Sequence, residues 1–279
     1  MGLIAGSKMD PYLNIPLVSA WESEEVLDTA FLRVRYEMEF WNHLGDAKCQ
    51  DFRMVEIGEA ARHDCSERLH LYDSIAGAGG DMLTVEQETV YPAEWILLPD
   101  KRVRCRFRLV KLLSILQYEE KRGNLEWHLV QETDSIAGYV CQKAETEYRG
   151  REYEAWYCPA IPVDGGPYVF GGLPGLIIRV VDKRGDYSWE MRGLEKGRWP
   201  VTERQIVLQK VSPVQARKQI ERVYANPCRI WKSMGYWITV HDMEKGDWHM
   251  ATEDDIQDCG LFYPKSVIRL WVDCPLMSC

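Results

Sequence analysis

Residues Phe31 to Trp41 alternate with period two: Leu32, Val34, Tyr36, Met38 and Phe40 fall on one face, Arg33, Arg35, Glu37 and Glu39 on the other. That is the pattern of a half-buried strand. Asp51 to Ile57 is its expected partner, reached through the polar turn around Gly45-Asp46. Ser74 to Asp81, with Gly-Ala-Gly-Gly, reads as an exposed loop. Arg102 to Leu109 alternates again, with Arg102, Arg104, Arg106 and Arg108 opposite Val103, Cys105, Phe107 and Leu109. Lys111–Tyr118 and Leu125–Gln131 predict two strands of a hairpin around the turn Glu119–Asn124.

Tyr139–Tyr148 and Glu152–Cys158 flank Arg149-Gly150 and predict a second hairpin with a two-residue turn. In that register Tyr148 opposes Arg151 and Cys141 opposes Cys158, which allows a cross-strand disulfide. Ile177–Val181 and Tyr187–Arg192 predict a third, central hairpin around residues 182–186. The period then changes. Ser212 can cap, Pro213 suits the first helical turn, and Ala216, Ile220 and Val223 recur at helical spacing before Asn226-Pro227. Short strands are expected at Tyr236–His241 and Ser266–Asp273.

The expected fold is therefore mainly β, a curved antiparallel sheet or partial barrel with one packed helix, β-rich α+β in class. The chain divides into an N-terminal extension 1–30, a β-rich domain 31–226, and a Cys- and Trp-rich extension 227–279 packed on it.

Charge narrows the function. The net charge is −9, and the absence of any Lys/Arg-rich run argues against nucleic acid as a partner. The arginines of 102–108 repel one another unless carboxylates or an anionic ligand lie opposite. Glu145, Glu147, Glu152 and Glu154 are the expected carboxylates; the alternative is an anion site on Arg104 and Arg106. The longest uncharged stretch, Gly165 to Ile178, is 14 residues and contains several Gly and two Pro, so it cannot cross a bilayer as a helix. Met1–Asp10 shows neither a charged n-region nor an apolar h-region, so no export signal is read there.

Candidate chemistry is sparse. There are nine Cys and no CxxC pair, and the His/Asp/Cys groups around His63 and His241 follow no metal-ligand spacing. No metal or cofactor is expected, since P-loop, Rossmann and GxSxG fingerprints are all missing. Cys141 with His128 is a conceivable nucleophile pair, but a strand Cys among aromatics more often packs as a small hydrophobe. Asp164, beside Gly165-Gly166-Pro167, is the one loop carboxylate that invites a role. Eleven Trp against six Phe suggest aromatic lining of a groove for an apolar or sugar-like ligand, with Trp156 a candidate.

One segment carries a resemblance. Phe170-Gly171-Gly172-Leu173-Pro174-Gly175-Leu176-Ile177, preceded by Ile136-Ala137-Gly138-Tyr139, Cys141-Gln142-Lys143-Ala144, Tyr148-Arg149-Gly150-Arg151 and Ala155-Trp156-Tyr157, resembles the GLPGLI family, found chiefly in Bacteroidetes. The resemblance covers roughly residues 31–226 and implies a periplasmic, envelope-associated or secreted protein of uncharacterised function. Association with an outer-membrane TonB-dependent receptor is implied by gene neighbourhood in that family. The expected function is a non-catalytic binding or accessory role, with an envelope hydrolase built on carboxylates or Cys/His as the alternative. Leu173-Pro174-Gly175-Leu176 fits a type II turn, with Pro at the second position and Gly at the third. Such a turn launches a buried strand, and it is either a rigid corner or a docking loop. The expected binding residues are Phe170, Gly172, Leu173, Pro174 and Gly175, together with Trp156, Arg104 and Arg106.

Overall fold

The computed structural model describes residues 3–5, 24–42, 47–71, 91, 93–109, 114–204, 208–225, 238–242 and 247–250. In chain order the strands are β1 (Leu3–Ala5), β2 (Glu24–Asn42), β3 (Ala47–Ile57), β4 (Arg62–Ser66), β5 (Ala93–Leu97), β6 (Arg102–Leu109), β7 (Ser114–Lys121), β8 (His128–Ile136), β9 (Tyr139–Tyr148), β10 (Arg151–Cys158), β11 (Leu176–Asp182), β12 (Tyr187–Arg204), β13 (Leu208–Lys210), β14 (Ile238–Asp242) and β15 (Asp247–Met250). Helix α1 spans Pro213–Ala225. Twelve strands form one curved, unclosed sheet in the order β13-β7-β6-β5-β4-β3-β2-β12-β11-β10-β9-β8, and β1-β14-β15 form a small second sheet. The expected loop 74–81 and strand 266–273 lie outside the described residues.

Period-two patterning places the core. Leu32, Val34, Tyr36, Met38 and Phe40 are all buried, and the exposed or half-buried positions between them are the polar ones. The long β2 pairs with β3 on one side and β12 on the other. Two hairpins match the sequence closely: Arg151 pairs with Tyr148 and Tyr157 with Gln142, around Arg149 and Gly150 at φ 51° and 73°. Positive φ at both central positions is the type I′ turn that suits the strand twist. Helix α1 begins in a capping box: the Gln215 N–H donates to Ser212 Oγ at 3.2 Å and the Ser212 N–H to Gln215 Oε1 at 2.9 Å. Ala216 and Ile220 are its buried stripe. Ser212→Ala should therefore cost about 1 kcal/mol, measured by urea unfolding.

One predicted hairpin is not there. β7 and β8 do not pair; β7 lies between β6 and β13, and β8 is the far edge of the sheet beside β9. Residues 122–127 run from one end of the twelve-stranded order to the other. Six residues span no more than about 20 Å, so the two ends of the sheet must curl toward each other. That segment is pinned to β9, where Tyr148 Oη donates to the Arg122 carbonyl and Thr146 Oγ1 to the Glu126 carbonyl, both at 2.8 Å.

Aromatics fill the enclosed side. Phe40, Tyr91, Trp95, Tyr168 and Phe170 form a chain of ring contacts at 5.1–5.6 Å, extended from Phe170 to Tyr153 at 4.8 Å and to Trp189 at 5.9 Å. Tyr168 and Phe170 come from the loop between β10 and β11, so residues 159–175 act as a plug across the sheet rather than as a solvated connection.

Candidate functional site

The plug is held by charged side chains that are themselves buried. Arg53, fully buried, pairs with Asp64 at 2.8 Å and Asp51 at 3.3 Å, and donates to the carbonyls of Ala93 and Tyr91. Its guanidinium lies between the rings of Trp95 (5.1 Å) and Tyr91 (5.7 Å). Asp64 reaches on to the plug, where its Oδ2 accepts the Tyr168 N–H at 2.6 Å. Arg62, one register step along the same face, donates to the Phe170 carbonyl at 2.8 Å and the Tyr168 carbonyl at 3.2 Å. Trp127 Nε1 donates to the Gly171 carbonyl at 2.9 Å, and Asp164 accepts the Gly172 N–H. Backbone groups buried by the plug thus find partners on β4, on the 122–127 segment and within the plug itself.

Three charged tips converge on Gly171. A Cβ placed there would meet Asp164 Oδ1 at 2.8 Å, Arg62 Nη1 at 3.1 Å and Arg122 Nη2 at 3.2 Å. Any larger residue would drive them apart. Arg122 is half-buried, with its Nε enclosed and lacking a hydrogen-bond partner, and its side chain makes no hydrogen bond or ion pair with a described residue. Burial pushes Arg62 down to about 10, Arg122 adds to that, and Asp164 and Asp64 oppose it. Beside them the half-buried Trp127 indole lies 3.7 Å from where a Cβ on Gly172 would stand. Gly172 and Pro174 are the exposed crest of the plug. Asp164 is thus a member of the cluster, whereas Arg62, Arg122 and Trp127 carry no sequence signal beyond their strand or turn position.

The motif residues are mostly interior. Phe170, Leu173 and Gly175 are buried, and only Gly172 and Pro174 reach the surface. The expected type II turn at Leu173–Leu176 is replaced by a tighter one. The Gly175 N–H donates to the Leu173 carbonyl across Pro174 at 2.8 Å, and the Leu176 N–H goes instead to the Ile161 carbonyl at 2.9 Å. The cause is the close approach of Gly175, at φ 155°, to the Cys158 carbonyl.

Three further expectations need correction. Trp156 lines no groove: it is buried, donates through Nε1 to Glu154 at 3.0 Å and lies 5.6 Å beneath the Lys143 ammonium. Cys141 and Cys158 have the expected register, yet both are free buried thiols. Cys141 Sγ turns to its own strand and donates to the Tyr139 carbonyl at 3.4 Å, and burial, with Cys158 adding, pushes it up to about 11. His128 is no partner for Cys141 either, because it pairs with Glu145 while Asp134 pairs with Cys141, about 20 Å farther along β8.

The arginine face is matched by carboxylates of its immediate neighbours, with Arg102 at its exposed end paired to Asp100 and Glu119. Arg106 is buried, donating to Gln117 at 2.8 Å with Glu94 at 3.8 Å; Arg104 pairs with Glu119 at 2.6 Å, and Arg108 with Glu94 at 3.6 Å. The carboxylates come from neighbouring strands β5 and β7 rather than from Glu145, Glu147, Glu152 and Glu154, because the 102–108 strand sits on the opposite half of the sheet. His63 joins this face between Glu56 (3.6 Å) and Glu94 (3.5 Å), with Arg33 on Glu56 at 2.7 Å. Burial alone would push His63 down, but the two carboxylates outweigh it and hold its pKa at about 9. Burial likewise opposes ionisation of Glu56, and His63 and Arg33 overcome it, bringing Glu56 to about 2. A raised histidine pKa contributes stability that is complete below about 6.5 and lost as pH climbs through 9. Urea unfolding between pH 6 and 10 should show a decline on the order of 2 kcal/mol, and His63→Gln should abolish it.

Among the described residues no three His, Cys, Asp or Glu side chains are grouped to hold a metal ion, and no helix is long and apolar enough to cross a membrane.

Likeness to known proteins concerns the fold. The crystal structure of PNGF-II in space group P21 superposes with a TM-score of 0.51 at 17% identity, over 71% of this chain and 34% of that one. The C2 crystal form gives 0.51 and 16%, over 71% and 33%. The chain spans about a third of the length of PNGF-II, and the two share a fold over that part. A putative outer membrane lipoprotein-sorting protein domain from Vibrio parahaemolyticus aligns at a TM-score of 0.27 and 7% identity, over 67% of this chain and 93% of that domain. Residues 145–179 match the model of a family described as a protein of unknown function, Porph_ging. No curated protein matches.

Proposed function

We propose that this protein is a non-catalytic binding or accessory protein of the cell envelope, working with an outer-membrane protein of the TonB-dependent receptor type. The resemblance to the GLPGLI family supports the location and the partner class. The docking element is the crest of the plug, Gly171 to Gly175. One observation carries this reading: the loop is fastened from beneath by Arg62, Asp64, Trp127 and Asp164, while Gly172 and Pro174 remain at the surface. A loop held so firmly loses little conformational freedom on association, and that favours binding.

A photo-cross-linking side chain at position 174, compared with one at the exposed Glu152, tests the assignment in intact cells. The expected result is a cross-link to one outer-membrane protein from position 174 and none from 152. No product, or equal products from both positions, overturns it.

A further inference from the structure

We propose that Arg122, backed by Arg62 and flanked by Trp127, forms a subsite for the carboxylate group of a ligand. The inference deepens the docking role and rests on it. Its basis is a guanidinium beside the crest whose terminal nitrogens no described residue engages. Around Gly171 the tips of Arg62 and Arg122 meet the Asp164 carboxylate, and Asp64, which pairs with Arg53, acts on Arg62 as well.

The donors are as informative as the charge. Both terminal nitrogens of Arg62 are committed to the carbonyls of Phe170 and Tyr168, so Arg62 contributes field rather than contact. The two terminal nitrogens of Arg122 are available, because neither a hydrogen bond nor an ion pair to a described residue engages them, while Nε is enclosed. Arg151, by contrast, is held between Asp182 and Asp186. Chain position cannot vary much either. The Arg122 N–H donates to the Lys101 carbonyl at 3.0 Å, and its own carbonyl accepts from Tyr148 Oη. A backbone pinned on both sides fixes where the side chain starts, and the planar guanidinium can then meet a planar anion through its two terminal nitrogens.

A monoanionic carboxylate matches the single charge and the two terminal nitrogens of Arg122. A phosphate dianion would leave one negative charge unmatched beside Asp164, in surroundings that are already partly desolvated. The half-buried Trp127 indole, bonded to the Gly171 carbonyl of the same crest, gives a flat apolar surface for the body that bears the carboxylate. Two sources share that chemistry, the free C-terminus of a peptide and an acidic sugar.

Thermal shifts and calorimetric titrations at low salt provide the test. The probes are glucuronate, a Phe-Ala dipeptide with a free C-terminus, its C-terminal amide, and inorganic phosphate. At least one of the two carboxylates is expected to stabilise the protein above a chloride control of equal ionic strength, and the one that binds names the source. The amide and phosphate should match chloride. Arg122→Gln should weaken carboxylate binding at least tenfold, with Arg122→Lys between, while both variants keep the thermal midpoint of the unliganded protein to within a few degrees. No stabilisation by either carboxylate, equal binding by phosphate, or undiminished binding by Arg122→Gln overturns the subsite. Failure of the carboxylates with the position-174 cross-link intact removes the subsite alone; failure of both removes the docking role as well.

Discussion

Asp64→Ala is expected to lower the unfolding free energy by about 3–5 kcal/mol, the range for leaving a buried charge without its partner. Arg53 is fully buried and would retain only Asp51, at 3.3 Å, as a described ion-pair partner. The same substitution strips the Tyr168 N–H of its acceptor, so the damage reaches the plug. Asp64→Asn keeps a carbonyl acceptor for that N–H and separates the two contributions: it should lose the ion-pair part and retain much of the plug contact. Urea or guanidinium unfolding of the three proteins reads both. If Asp64→Ala costs under 1 kcal/mol, the pair behaves as a surface salt bridge and the account of the plug is wrong.

Gly175→Ala should be comparably severe, about 3 kcal/mol or more. The added methyl would lie 2.2 Å from the Cys158 carbonyl oxygen and 2.7 Å from its carbon. Both are backbone atoms at the end of β10, where the same carbonyl accepts the Ile161 N–H, so neither can swing aside as a flexible side-chain tip could. Relief requires the plug to lift from the sheet, exposing Phe170 and Leu173. Gly185→Ala is the control for backbone conformation, because Gly185 has φ 80° with nothing near its Cβ position. It should cost about 1 kcal/mol. Equal losses at the two sites would mean that conformation, rather than close approach, accounts for the motif's second glycine.

Elements built from neighbouring residues were legible. The β9–β10 register follows from a two-residue turn and one index sum, the start of α1 from Ser212 and Pro213, and the core face of β2 from alternation. The hairpin drawn between β7 and β8 failed because two adjacent strand patterns with a polar Gly-containing connector look alike whether the chain folds back or crosses the mouth of a curved sheet. The arginine face failed in the same way: alternation shows that Arg104 and Arg106 share a side, and strand order decides whether Glu94 or Glu154 stands opposite. For Cys141 and Cys158 the register was right, while the Cys141 thiol bonds to the Tyr139 carbonyl of its own strand and both thiols are free.

Sequence alone determined the class of fold, the β9–β10 and β11–β12 hairpins and the helix, the inward face of β2, and the segment around Gly171–Ile177 as the distinctive part. These depend on interactions between residues close in the chain, or on a periodicity that any partner must respect. Tertiary structure alone decided that this segment is a plug, that Arg62 and Asp64 fasten it, and that Arg122 and Asp164 meet beside it at Gly171. Arg62 and Tyr168 are 106 residues apart, and Arg122 and Asp164 come from opposite ends of the sheet order. Contacts at such separations are set by how the whole sheet curls, a property of every strand together and of no local pattern.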